Sequence, residues 1–162
     1  MDIANLSDFG GDSLKTQYGH AAWLLLHRAP YQARTFREEE MTQEERRLGR
    51  SPAATYAHRY ARMAEALLRA YPCGSCRRHF FERDDTLLHF KTEVAALPDD
   101  AAAGTVVDAL AIAAARLHHA VTAGLAPSLR TEADAELLQA ADRGDVARSD
   151  LARLLHARWE PR

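Results

Sequence analysis

Tyr71-Pro72-Cys73-Gly74-Ser75-Cys76-Arg77-Arg78-His79-Phe80 contains the only two cysteines of this 162-residue chain. They are spaced C-x-x-C, directly after a proline and at the predicted mouth of a helix. A pair so spaced can close on itself as a small disulfide ring. The unpaired N–H groups and positive dipole at a helix N-terminus favour its thiolate form. Arg77 and Arg78 add positive charge of the same sense, although two adjacent arginines most often mark a solvated face. This is the make-up of a redox dithiol. The spacing also serves metal sites and redox switches, so the rest of the chain has to decide.

Working outward, the sequence predicts helix after helix. On the N-terminal side, Leu14, Tyr18, Ala22, Leu25 and Leu26 recur at helical spacing, with Trp23 and His27 sharing a face, until Pro30 ends the run. Residues 1–13 read as a loose lead-in. Residues 29–50 read as a charged, solvated excursion holding one short helix, which Thr42 and Glu45 cap and Gly49 stops. Ser51-Pro52 pairs an N-cap hydroxyl with a proline at the first helical position. The following stripe is Tyr56, Tyr60, Met63, Leu67 and Tyr71. The cysteine helix is predicted to run through Phe81 to about Asp84. A loop containing Pro98 then leads to a long helix striped by Val106, Leu110, Ala113, Leu117 and Val121. Two further helices are expected, over 131–141 and 146–159, with Trp159 packing the last. No β-alternation stands out. The fold class is therefore all-α, a four-helix bundle with additional C-terminal helices.

Composition narrows the function. Charged residues make up 27% and the formal net charge is −2, so no basic field points to nucleic acid or to an anionic membrane. Two cysteines are too few for a disulfide-stapled secreted scaffold. The first residues carry no basic-then-apolar leader pattern, and no apolar run approaches membrane-spanning length, so the default expectation is cytoplasmic.

Three separated motifs line up with one family. Gly19-His20-Ala21-Ala22-Trp23-Leu24-Leu25-Leu26-His27 has the form G-x-x-x-W-x-x-x-H on the first helix. Tyr71-Pro72-Cys73-Gly74-Ser75-Cys76 has the form Y-P-C-x-x-C. His118-His119-Ala120-Val121-Thr122 matches H-N-x-V-N at His118 and Val121, with His119 and Thr122 standing where asparagines are the rule. Together they resemble the FAD-linked sulfhydryl oxidases of the Erv/ALR type. The resemblance covers residues 14–125 and leaves 126–162 as a helical extension. Taken singly, Trp23, His27 and His118 read as ordinary core residues; it is their joint pattern that counts. His20, His58, His89 and His156 have no such support.

The resemblance implies FAD as cofactor and a site made of Gly19, Trp23, His27, Tyr71, Cys76, His118, His119, Val121 and Thr122. It implies that Cys73 takes the substrate thiol, that Cys76 passes electrons toward the flavin, and that O₂ is reduced to H₂O₂. The expected partners are a thiol substrate, from a protein or a small molecule, and O₂, with a non-covalent homodimer possible and no metal. Asparagine offers a donor and an acceptor to a flavin edge, so the changes at 119 and 122 bear on flavin affinity. The rival readings are a flavin-free C-x-x-C reductase or peroxidase like the AhpD type, a zinc module using Cys73, Cys76 and His79, and a helical scaffold without flavin.

Overall fold

The computed structural model describes residues 11–78, 81, 86–122 and 132–161, less the side chains of 11–16, 75, 76, 86, 122 and 132–134. Among these, every regular element is helical: α1 (Gly11–Arg28), a 3-10 segment (Ala29–Arg34), a 3-10 turn (Glu38–Glu40), α2 (Gln43–Arg47), α3 (Pro52–Arg69), α4 (Gly74–Arg78), α5 (Thr86–Ala95), α6 (Ala103–Thr122), α7 (Glu132–Asp142) and α8 (Arg148–Trp159). The all-α expectation holds for the described residues.

The centre of the fold is α6. It is apolar almost all round, the composition of a helix that is buried on every side. Val106, Leu110, Ala113 and Leu117 join the larger core with Leu26, Tyr60, Leu87 and Phe90. Ile112 and Ala115 face the other way, onto Leu138, Leu151 and Leu155 of α7 and α8. The C-terminal helices therefore cover a face of α6 that would otherwise meet water, and each buried leucine there stabilises by about 1.5–3 kcal/mol. Trp159 touches both clusters.

Chain chemistry at the helix ends explains the tyrosine stripe of α3. Pro30 has no N–H to continue the α1 ladder, which leaves carbonyls at the end of α1 without helical partners. The Tyr60 hydroxyl donates to the Leu26 carbonyl and the Tyr56 hydroxyl to the Ala29 carbonyl, each at 2.6 Å. The N-terminus of α3 forms as its sequence predicts, with the Ser51 hydroxyl accepting from the Ala54 N–H at 3.1 Å and proline in the first turn.

Several expectations need correction. The lead-in is helical from Gly11. Residues 29–34 do not form a solvated excursion: Ala29, Pro30, Tyr31 and Ala33 are buried, packed against α3 and α6. The short capped helix after them is present, with a Thr42–Glu45 capping box and Gly49 at a φ of 71°. The loop expected after the cysteine helix contains α5, whose Leu87, Phe90 and Val94 enter the core at helical spacing. The end of the cysteine helix near Asp84, the stop near Gly124 and the Thr131 cap lie outside the described residues.

Candidate functional site

Helix α1 places Trp23 and His27 one turn apart on the same face, and α6 brings His118 against both. The imidazole Nε2 of His27 lies 2.9 Å from Nδ1 of His118. Trp23 stacks on His118 with centroids 4.2 Å apart and planes 15° from parallel. From the other end of the chain, Trp159 stacks on His27 at 4.0 Å and 6°. Two imidazoles, bonded edge to edge, thus each carry an indole on one face.

A contact of this kind between two ring nitrogens needs one donor and one acceptor, and two imidazoliums cannot make it. Burial, the other imidazole and the Arg158 guanidinium hold His27 well below its ordinary range. Burial, Arg158 and His119 do the same to His118. Both rings are neutral at pH 7. The pair therefore presents flat, uncharged, polarisable surface deep in an otherwise apolar interior, where His27 is only 2% exposed. The indole Nε1–H of Trp159 is buried with no acceptor among the described residues. An unmet buried donor costs about 1–3 kcal/mol.

The cysteine segment docks on the same helix, one turn earlier. A Cβ at Gly19 would lie 2.7 Å from the Tyr71 hydroxyl oxygen, so only glycine lets that ring sit flush on α1. Tyr18 meets Tyr71 edge to face at 5.4 Å, and its hydroxyl donates to the Leu67 carbonyl at 2.9 Å. The glycine of the first motif and the tyrosine of the second are thus one contact. Arg77 donates to the Tyr71 carbonyl at 2.6 Å, which closes the Tyr71–Arg77 turn on itself and ties this guanidinium to the backbone. Cys73 is half-buried and disulfide-bonded, and Cys76 is the only other cysteine of the chain.

Of the residues singled out by sequence, Trp23, His27 and His118 come together, and Tyr71 packs on α1 at Gly19, with Cys73 two residues further along the chain. His119 and Val121 are partly buried on α6. The side chains of Cys76 and Thr122 are outside the described atoms, as is His79. Among the described residues, no cluster of three or more His, Cys, Asp or Glu side chains is placed to hold a metal. No helix among them is long and apolar enough to cross a membrane.

Sequence reasoning placed Trp159 as packing for the last helix and left His156 without support for a role. His156 fixes α8 in place: its Nδ1 lies 2.9 Å from the Tyr31 hydroxyl and its Nε2 2.6 Å from Asp108 Oδ1. Arg34 also pairs with Glu160 beside Trp159. No spacing rule could have connected Trp159 and His156 to their partners, His27, Tyr31 and Asp108, because those lie on elements distant in the chain. No family model, no curated protein and no solved structure matches the chain.

Proposed function

We propose that the chain is an FAD-dependent sulfhydryl oxidase that makes disulfides from thiols through Cys73 and Cys76. One observation carries the reading: α1 seats the cysteine segment at Gly19, the Trp23 indole one helical turn further on and the paired imidazoles at His27 two turns on, about 6 and 12 Å along the axis. A thiol-reactive disulfide and a stack of neutral rings therefore share a helix. In this reading α1, α3, the cysteine helix and α6 are the four helices of an Erv/ALR-like bundle.

The residues present fit the cofactor chemically. Trp23 and Trp159, partly buried and backed by the two imidazoles, would offer flat faces to a heteroaromatic ring, and the unmet Trp159 N–H would suit a polar ring edge or ribityl oxygen. His119 and Thr122 would add hydrogen-bonding groups. When bound, FAD supplies the electron acceptance that a protein lacks and hands the pair on to O₂, giving H₂O₂.

The chain's own chemistry is thiol–disulfide exchange. A substrate thiolate attacks Sγ of Cys73, the Cys73–Cys76 bond breaks, and Cys76 leaves as a thiolate. A second substrate thiolate then attacks the mixed disulfide at the substrate sulfur. The substrate disulfide departs, and both protein cysteines are left reduced. Two substrate thiols have been oxidised and one protein disulfide reduced. No further cysteine exists to relay electrons, so substrate reaches Cys73 directly.

A second reading, a scaffold without flavin, draws on the near-complete burial of His27 under Trp159. Titration with FAD separates the two. Trp23 and Trp159 are the only tryptophans and both lie on the imidazole pair, so intrinsic fluorescence reports on this site alone. Saturable quenching with retention of a yellow colour through gel filtration is expected. Unchanged emission and a colourless protein would favour the scaffold.

A further inference from the structure

We propose that the cavity between α2, α3 and α5 is a ligand site for a small organic carboxylate. The cavity measures about 720 Å³, within the usual range of roughly 300–1,000 Å³ for small-molecule sites. Its walls belong to the capped segment after Met41, to one face of α3 and to α5, and it shares no residue with the imidazole pair or the cysteine segment.

The two carboxylates deepest in the charged wall are already engaged. Glu45 receives Arg59 on both oxygens, at 2.8 and 2.6 Å, and the Thr42 N–H at 2.8 Å. Its pKa is accordingly lowered to about 2, chiefly by the Arg59 bonds. Glu65 receives the Arg69 fork on one oxygen, at 3.0 and 2.7 Å, and Lys91 on the other at 2.9 Å. Neither has an oxygen left without a donor.

The cations lining the cavity keep donors to spare. Arg62 is 72% exposed and reaches only to 3.6 Å from Glu45. Arg50 uses Nε on Asp99, and among the described residues its terminal nitrogens have no hydrogen-bond partner. Lys91 spends one of its three N–H bonds on Glu65. Glu44 stands at the rim as an opposing charge. Within the lining, Arg50, Arg62 and Lys91 balance Glu44, Glu45 and Glu65; counting the outside partners Arg59, Arg69 and Asp99 leaves cations ahead by one. Burial and then the Arg50 charge hold His58, a further lining residue, below its ordinary value.

The second observation is Thr55. Its hydroxyl is buried with no partner among the described residues, and the residue lines this cavity. Left unmet, such a group costs about 1–3 kcal/mol; a carboxylate oxygen would accept a hydrogen bond from it. Arginine forks match a planar carboxylate in geometry. Leu48, Ala61, Val94 and Ala95 supply apolar surface for a short hydrocarbon body. The Thr42–Glu45 box and the Arg59–Glu45 fork fix one wall in advance, which lowers the ordering cost of binding.

The test uses the full chain, labelled with ¹⁵N and titrated with hexanoate or benzoate at millimolar concentration. Hexanol, benzyl alcohol and inorganic phosphate are run alongside. Saturable shifts are expected at Thr55, His58, Arg62 and Lys91 with the acids and not with the alcohols. The double variant R62A/K91A should weaken binding at least tenfold, and T55V, which keeps the shape and removes the hydroxyl, several-fold. Absence of saturable shifts, equal response to the alcohols or to phosphate, or unchanged affinity in both variants would each overturn the proposal. None of these outcomes depends on whether the protein binds FAD.

Discussion

Trp159, the last residue of α8, lies parallel to His27 at 4.0 Å, and His27 closes a motif that begins at Gly19. The last helix is therefore part of the wall of the candidate site. Trp159→Ala removes the ring from both core clusters and should destabilise the fold by about 2–4 kcal/mol, slightly less than full burial of a tryptophan implies. Trp159→Phe keeps a stacking face and removes the unmet N–H, so it should leave the FAD-free protein equally or more stable while weakening FAD binding. Chemical denaturation beside flavin titration checks the pair. A Phe variant that binds FAD as tightly as the parent shows that the indole N–H has no ligand role.

The Gly19–Tyr71 contact gives a second prediction. Gly19→Ala sets a methyl 2.7 Å from the Tyr71 hydroxyl oxygen. That oxygen is the end of a partly exposed side chain and can give way, so the cost should be about 1 kcal/mol rather than a collapse. The next ring atom lies at 3.6 Å, an ordinary contact. Tyr71→Phe in the Gly19→Ala background should therefore recover most of the loss. A double-mutant cycle with no coupling would contradict the contact.

Acid should loosen the site before it reaches the carboxylates. The histidine reference value is 6.5, and both His27 and His118 are held far below it in the fold. The unfolded chain thus takes up protons that the folded chain refuses. Their contribution to stability is complete above about pH 6.5 and is lost as pH falls toward the folded values, at up to about 1.4 kcal/mol per pH unit per histidine. His58 is shifted the same way, whereas the stability that Glu45 contributes is complete above its ordinary value of 4.5 and is lost only as pH falls toward about 2. His118→Asn should flatten the slope between pH 6 and 5, read as urea midpoints across pH. Stability that is flat or rising from pH 7 to 5 would show that the pair is not buried as described.

Much of this was legible in the chain, and the reasons differ by element. The Ser51 cap and the Thr42–Glu45 box follow local rules, and the structure repeats them; of the α3 stripe Tyr60 is buried while Tyr56, Met63, Leu67 and Tyr71 pack on the edge of a face centred on Ala57, Ala61, Ala64 and Leu68. Helix α5 was not legible: only Leu87, Phe90 and Val94 mark it, and a ten-residue helix draws its stability from tertiary packing rather than from propensity. Pro30 reads correctly as the end of α1, yet the residues around it turn into the core because Tyr31 and Ala33 find α6. The motif residues Trp23, His27 and His118 were visible through their resemblance to a family pattern, not through spacing alone. Trp159 and His156 were not, because their partners lie on distant elements and only the packing of α8 brings them together.

The cysteines carry the chemical prediction. Cys76→Ser should abolish thiol oxidation and electron transfer from thiol to flavin while leaving FAD bound, as followed by oxygen uptake with dithiothreitol. Unimpaired oxidation by that variant would remove the C-x-x-C from the mechanism. Asparagine at both 119 and 122 should maintain or tighten flavin binding, and a clear loss of bound FAD would mean that the end of α6 is aligned wrongly to the family pattern.

The most direct test of the central claim is the visible absorption spectrum of the FAD-loaded protein, recorded under argon before and after dithiothreitol and again after admitting air. The account predicts flavin bands that bleach with the thiol and return with oxygen. A protein that takes up no FAD, or one whose bound flavin keeps its colour in the presence of thiol, would contradict it.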